Sequence, residues 1–359
     1  MRLDLLRAPA VTLVVLSVAA AYATSRRALP VRAADEPQPP LRLSETGLYA
    51  AGRPGVVDAR NRAFAPQYPL WTDGASKRRW VQLPPGATID ATSDHAWEFP
   101  VGTRLWKEFS FGGRKVETRL LWKVTSEQWI TAAYVWNEEQ TDAVLAPEQG
   151  VAGVAEVAPG RRHSIPARAD CAACHGSPAR PLGFGPLQLS TDRDPNAIHG
   201  EPLAPGMMTL ATLVGEGLLA PARRDLVSSP PRIRTGNPRT RSVLGYLAAN
   251  CGACHNRGGE ITANLPSLAS EDVMADGDAA ARSLVERATR WQVPGAPDGM
   301  SVAVHPAAPD ESALLARMRS RRPSSQMPPL GTVVRDQEAV DAIVAWIQAD
   351  LTPARTASR

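Results

Sequence analysis

All four cysteines of this chain fall into two copies of one pattern. "DCAACH" sets Cys171 and Cys174 three apart with His175 next, and "NCGACH" repeats this at Cys251, Cys254 and His255. With four Cys and six His in 359 residues, one such pentapeptide arises by chance in roughly one chain in a thousand, and two far less often. A four-cysteine zinc site would have to join pairs far apart in sequence and would leave both histidines unused. A thioredoxin-like pair needs a βαβ context, which the sequence lacks. A disulfide across two intervening residues closes too short a loop to add much stability.

The spacing suits covalent haem. Two thiols three apart can each add to one vinyl group, and the following histidine then supplies an imidazole nitrogen to the iron. Cys171 and Cys174 would tether haem 1 with His175 as proximal ligand. Cys251, Cys254 and His255 would do the same for haem 2, giving two haem c groups. For the distal side of haem 2, "SSQMPPLGT" offers Met327, whose thioether raises the iron's potential and whose following prolines fix an extended backbone. For haem 1 the sequence leaves Met208, Met207 and His199 open, along with an iron carrying no protein ligand on that side.

The first residues, "MRLDLLRAPAVTLVVLSVAAAYATSRR", place Arg2 and Arg7 before an apolar run of about 14 residues and a small-x-small site at Ala21 and Ala23. This is the pattern of a secretory signal over 1–23, or of an uncleaved anchor. Either way the expected location is the periplasm, with membrane association only if the segment stays. Residues 24–40 read as a Pro- and Ala-rich tether.

Residues 41–160 read as β-rich. In "RKVETRLLW" Val116, Thr118, Leu120 and Trp122 alternate onto one face, and "FGGR" (111–114) is a hairpin turn. Seven of the nine tryptophans lie here, fitting a sandwich core better than a ligand platform. Beyond 160 the texture becomes helical. "RTRSVLGYLAANC" runs into the second motif, and "DQEAVDAIVAWIQADL" (336–351) carries one apolar stripe behind Asp336 as N-cap. The expected organisation is therefore α+β and multidomain. A sandwich-like antiparallel β domain (41–160) precedes two small, mainly α, cytochrome c-like regions, haem 1 (161–238) and haem 2 (239–352), and a tail (353–359).

In order along the chain, "YPLWTDGASKRRWVQLPPG", "WEFPVGTRLWKEFSF", "VETRLLW", "AAYVWNEEQTDAVL", "CAACH", "PLGFGPLQLS", "GYLAANCGACHNRGG" and "MPPLGT" resemble a family of bacterial exported dihaem c-type cytochromes with an N-terminal β domain. Residues 239–352 by themselves resemble a class I cytochrome c. The resemblance covers about 44–350 and implies electron transfer between a donor and an acceptor protein. Where an Asn-Gln-Leu-like stretch is expected this chain has "MMTL" (207–210), so the distal ligand of haem 1 does not carry over.

Two other functions fit the sequence less closely. One is a peroxidase- or oxidase-like dihaem enzyme with an open site on haem 1. The other is a β-domain binding module wired to a redox relay. The formal charge of +4 falls to +3 without residues 1–23, and each ferric haem adds about −1. With no dense basic run, nucleic-acid binding is not expected.

Overall fold

The computed structural model describes residues 37–53, 55–93, 97–176, 181–258, 266–297, 299 and 301–352. The signal, nearly all of the tether and the 353–359 tail lie outside the described residues. The β-rich stretch forms β1 (Arg62–Ala63), β2 (Ser76–Gln82), β3 (Ile89–Asp90), β4 (Arg104–Phe111), β5 (Arg114–Lys123), β6 (Trp129–Trp136) and β7 (Ala143–Leu145). The hairpin β8 (Val151–Ala158) and β9 (Arg161–Ile165) follows. Helix α1 (Arg168–His175) comes next, then α2 (Leu210–Gly215), β10 (Leu219–Ala220), α3 (Asp225–Ser228) and α4 (Pro238–Asn250). Helices α5 (Ser270–Ala275), α6 (Gly277–Leu284), α7 (Ala313–Arg319) and α8 (Gln337–Trp346) complete the set.

Six strands in the order β1-β2-β4-β5-β6-β7 make one antiparallel sheet. β4 and β5 meet at Gly112 and Gly113, whose φ values of +54° and +81° supply the tight turn. Alternation then sorts the side chains. One face stacks Trp80, Trp106, Leu120 and Ala132 across four strands, packed with Tyr134, Trp136, Leu43 and Leu48. The other face carries charge, including Arg79, Lys107 and Arg119. The expected sandwich is met only in part, because the strands facing this sheet are the β8–β9 hairpin, which sets His163 against it.

The fold is mixed α+β, and from Pro39 onward it is one compact unit. The boundaries read at 160 and 238 fall inside that unit because the cores are shared. Tyr68 and Leu187 pack with α4, α7 and α8, while Phe64, Val81 and Leu105 pack with Met208, Leu210 and Leu213. Helix α4 starts at Asn237, whose Oδ1 accepts from the Arg239 and Thr240 N–H groups, with Pro238 in the first turn. Helix α8 starts at Asp336 as read from sequence, its carboxylate accepting from the Ala339 N–H. Among the described residues no helix is long and apolar enough to cross a membrane.

Candidate functional site

The first motif lies within α1 itself and ends at Gly176, whose φ of +76° stops the helix. The second begins where α4 stops. Cys251 caps that helix, and the His255 N–H bonds back to the Cys251 carbonyl at 2.8 Å, making one further turn. Helix α4 is almost fully buried, so Cys251 is delivered into the core it helps build.

The fold brings the two motifs together. The Cys254 thiol donates to the Ala173 carbonyl at 3.3 Å, which brings Cys254 beside Cys174. The proximity of the two thiols holds Cys254 below the usual thiol range and pushes Cys174 up. Burial pushes Cys251 up to about 12. All four cysteines are free thiols. Among the described residues no three His, Cys, Asp or Glu side chains gather closely enough to hold a bare metal ion.

The ring of His255 fits a haem ligand. Its Nδ1 is buried without a hydrogen-bond partner, and burial with the nearby Arg317 charge holds its pKa below the ordinary histidine range. A neutral imidazole is the form that ligates a metal. Met327 shares that neighbour, since its N–H donates to the Arg317 carbonyl at 3.0 Å. Arg321 holds the other side of the segment, donating to the carbonyls of Met318 and Met327. Met318 packs in the core beside α4 and α8.

The haem 1 candidates separate in space. Met208, 2% exposed, lies in an apolar core with Phe64, Leu189 and Leu213. His199 Nε2 sits 2.9 Å from both carboxylate oxygens of Asp336, and Tyr246 donates to the same carboxylate, which ties His199 to the start of α8. Met207 lines a cleft of about 850 Å³ together with Trp71, Lys77, Arg79 and His199. That volume lies within the usual range of small-molecule sites, roughly 300–1,000 Å³.

Sequence reasoning missed one cluster beside the first motif. Arg119 lies within electrostatic reach of Cys171 and Cys174 and pairs with Glu117 at 2.6 Å. Glu117 accepts from His163 Nε2 at 3.1 Å, and His163 Nδ1 faces Asp73 at 2.9 Å. Asp73 Oδ1 then accepts from the N–H groups of Val333 and Val334, just beyond the Met327 segment. A buried chain of charges thus runs from the first motif to the loop that carries Met327. His163 is fully buried. The available signal was Glu117 and Arg119 alternating against Thr118 and Leu120 on β5. No family model, no curated protein and no solved structure matches the chain.

Proposed function

We propose that this chain is an exported dihaem c-type cytochrome that passes electrons through two covalently bound haems. The observation that carries the reading is the contact between two Cys-x-x-Cys-His motifs, Cys254 against Ala173 and Cys174. Groups tethered at these points start within a few ångströms of each other, the arrangement a relay needs. Bound haem would supply the one-electron iron couple. The protein contributes the rest: thiols for attachment, His175 and His255 as proximal ligands, and Met327 as the sixth ligand of haem 2. The arginine bonds that hold the Met327 backbone are fixed in place without that side chain. A donor and an acceptor protein complete the pathway.

The chain produced in a host that attaches haem should exceed its processed apo mass by two porphyrins. Replacing Cys171 and Cys174 with alanine should remove one, and replacing Cys251 and Cys254 the other. Intact mass at the apo value in such a host would sink the proposal.

One observation favours a second reading, a redox enzyme with an open site on haem 1. Met208 is committed to a core and His199 to Asp336, which leaves Met207 on the cleft wall. A high-spin ferric component that shifts with cyanide would support the enzyme; its absence would support the relay.

A further inference from the structure

Three adjacent strands place Arg79, Lys107 and Arg119 directly opposite one another on one sheet face, and Arg119 lies within electrostatic reach of the first motif. Side chains so paired stand about 5 Å apart, and like charges in that position oppose folding. Lys77 adds a fourth cation beside them. Phe109, fully buried, lies under three of the four, with Lys77, Lys107 and Arg119 at 5.9, 5.0 and 4.5 Å from its ring centre. Two of the charges are answered. Arg79 pairs with Glu201 at 2.6 Å and Arg119 with Glu117 at 2.6 Å. Asp73 nearby is taken by His163. Among the described residues no carboxylate pairs directly with Lys77 or Lys107, the two cations left over.

The cost shows in the ammonium groups themselves. Burial, then Arg79, brings Lys77 down to about 8. Burial with Arg79, Lys77 and Arg119 holds Lys107 well below the lysine range. The chain has only four lysines among forty basic residues, and all four lie on this sheet. Two ammonium groups kept partly desolvated among other cations lack the counter-charge that a stable fold needs. Lys77 and Arg79 line the cleft described above, so a counter-charge can reach the row at its Lys77 end.

We infer that Lys77, Lys107 and Arg119 seat the two propionate carboxylates of the haem tethered at Cys171 and Cys174. This rests on the dihaem reading. A haem brings two carboxylates, which balances the two unanswered cations, and Arg119 already lies within reach of both thiols of that motif. The sheet would thus be an electrostatic wall of the haem site. Cations against the propionates favour the reduced iron, because they offset the electron's charge.

The test uses the haem-loaded protein and its Lys77→Met and Lys107→Met variants, which keep side-chain length and remove charge. Mass spectrometry first counts the haems. Wild-type protein without two covalent haems overturns the dihaem reading, and this inference with it. If two are present, each variant should retain them and the wild-type low-spin spectrum, while the reduction equilibrium of one haem falls at least about tenfold, about 59 mV for one electron. Lys107→Arg should restore it. Lys115→Met is the control, because that ammonium stacks on Trp136 against the tryptophan face, and it should leave both potentials unchanged. Potentials unaltered in the Lys77 and Lys107 variants would leave the dihaem reading standing and overturn the seat. So would potentials that respond only to added succinate or phosphate, since the row would then hold a diffusible dianion. Should a variant fail to fold, the salt dependence of the wild-type potential decides: a buried seat resists salt, whereas an exposed patch is screened.

Discussion

His163 and Asp73 face each other at 2.9 Å, Nδ1 against Oδ2, across 90 residues of sequence. Burial alone would lower the ring's pKa, but the bonds to Asp73 and Glu117 outweigh it and raise His163 above its ordinary value. A raised folded value means that stability from the charged ring is complete below the unfolded value near 6.5. That stability is lost as pH rises through the folded value. Glu117 acts in the opposite sense. Burial pushes it up, yet Arg119 and His163 bring it down to about 2. Its contribution is whole above the unfolded value, about 4.3, and disappears as pH falls toward 2. Stability should therefore be greatest between those limits. His163→Gln should cost about 3–5 kcal/mol near pH 6 by leaving carboxylates unpaired, and should flatten the alkaline decline. Denaturant midpoints measured against pH check this; a wild-type alkaline slope in the variant would show that the ring is neutral.

Met327 should be separable from the fold that presents it. Its N–H and carbonyl are held by Arg317 and Arg321, so Met327→Ala should change stability by no more than about 1 kcal/mol. In the haem-loaded protein one low-spin signal should be lost and the potential of that haem should drop, because a thioether raises it. Two intact low-spin haems in the variant would exclude Met327 as a ligand.

Met208 should behave in the reverse way. It is buried against Phe64, Leu189, Leu210 and Leu213, so Met208→Ala should lose about 2–5 kcal/mol while the haem spectrum stays as in wild type. Chemical denaturation and the ferric spectrum of the same preparation test both halves. A spectrum that turned high-spin would return Met208 to the position of haem 1 ligand.

These contrasts mark what the sequence could and could not convey. Periodicity announced β5, the β4–β5 hairpin, α4 and α8, because each buries one face and that demand is written in adjacent residues. The two motifs were legible for the same reason, since their chemistry is local. The meeting of Cys174 with Cys254 was not, nor was the alignment of Arg79, Lys107 and Arg119, because strand register is a long-range property. His163 resembled any other histidine in a polar strand, since its partners come from β5 and from the loop at Asp73. Nor does the change from β to α texture near 160 announce that Tyr68, from the β-rich part, packs into α4.

That packing depends on the absence of one carbon. Gly245 lies in the middle of α4, and a Cβ there would overlap the ring of Tyr68. Tyr68 is fixed in turn by its hydroxyl on Asp194 at 3.1 Å. In an exposed helix Gly→Ala gains about 1 kcal/mol. Here Gly245→Ala should instead destabilise by about 1–3 kcal/mol through overpacking, read as a lower melting temperature. Pairing it with Tyr68→Leu should recover part of the loss. A stabilised single variant would mean that α4 does not rest on Tyr68.

The contact between Cys174 and Cys254 makes a final prediction about the chain before haem is attached. Apo protein treated with oxidised glutathione should form one internal disulfide. The two thiols give up their protons and two electrons, and glutathione disulfide is reduced to two thiols. The partners should be Cys174 and Cys254, because Cys254 bonds to the Ala173 carbonyl next to Cys174 and its thiol is held below the usual range. Cys251 should remain reduced, its thiol buried and pushed up to about 12. Peptide mapping should find residues 168–176 joined to the peptide carrying Cys254, with a mass loss of two hydrogens. Cys174→Ala should abolish the product, whereas Cys171→Ala should leave it. Crosslinks confined within each motif would mean that the two motifs do not meet in solution, and the short path between haems would go with them.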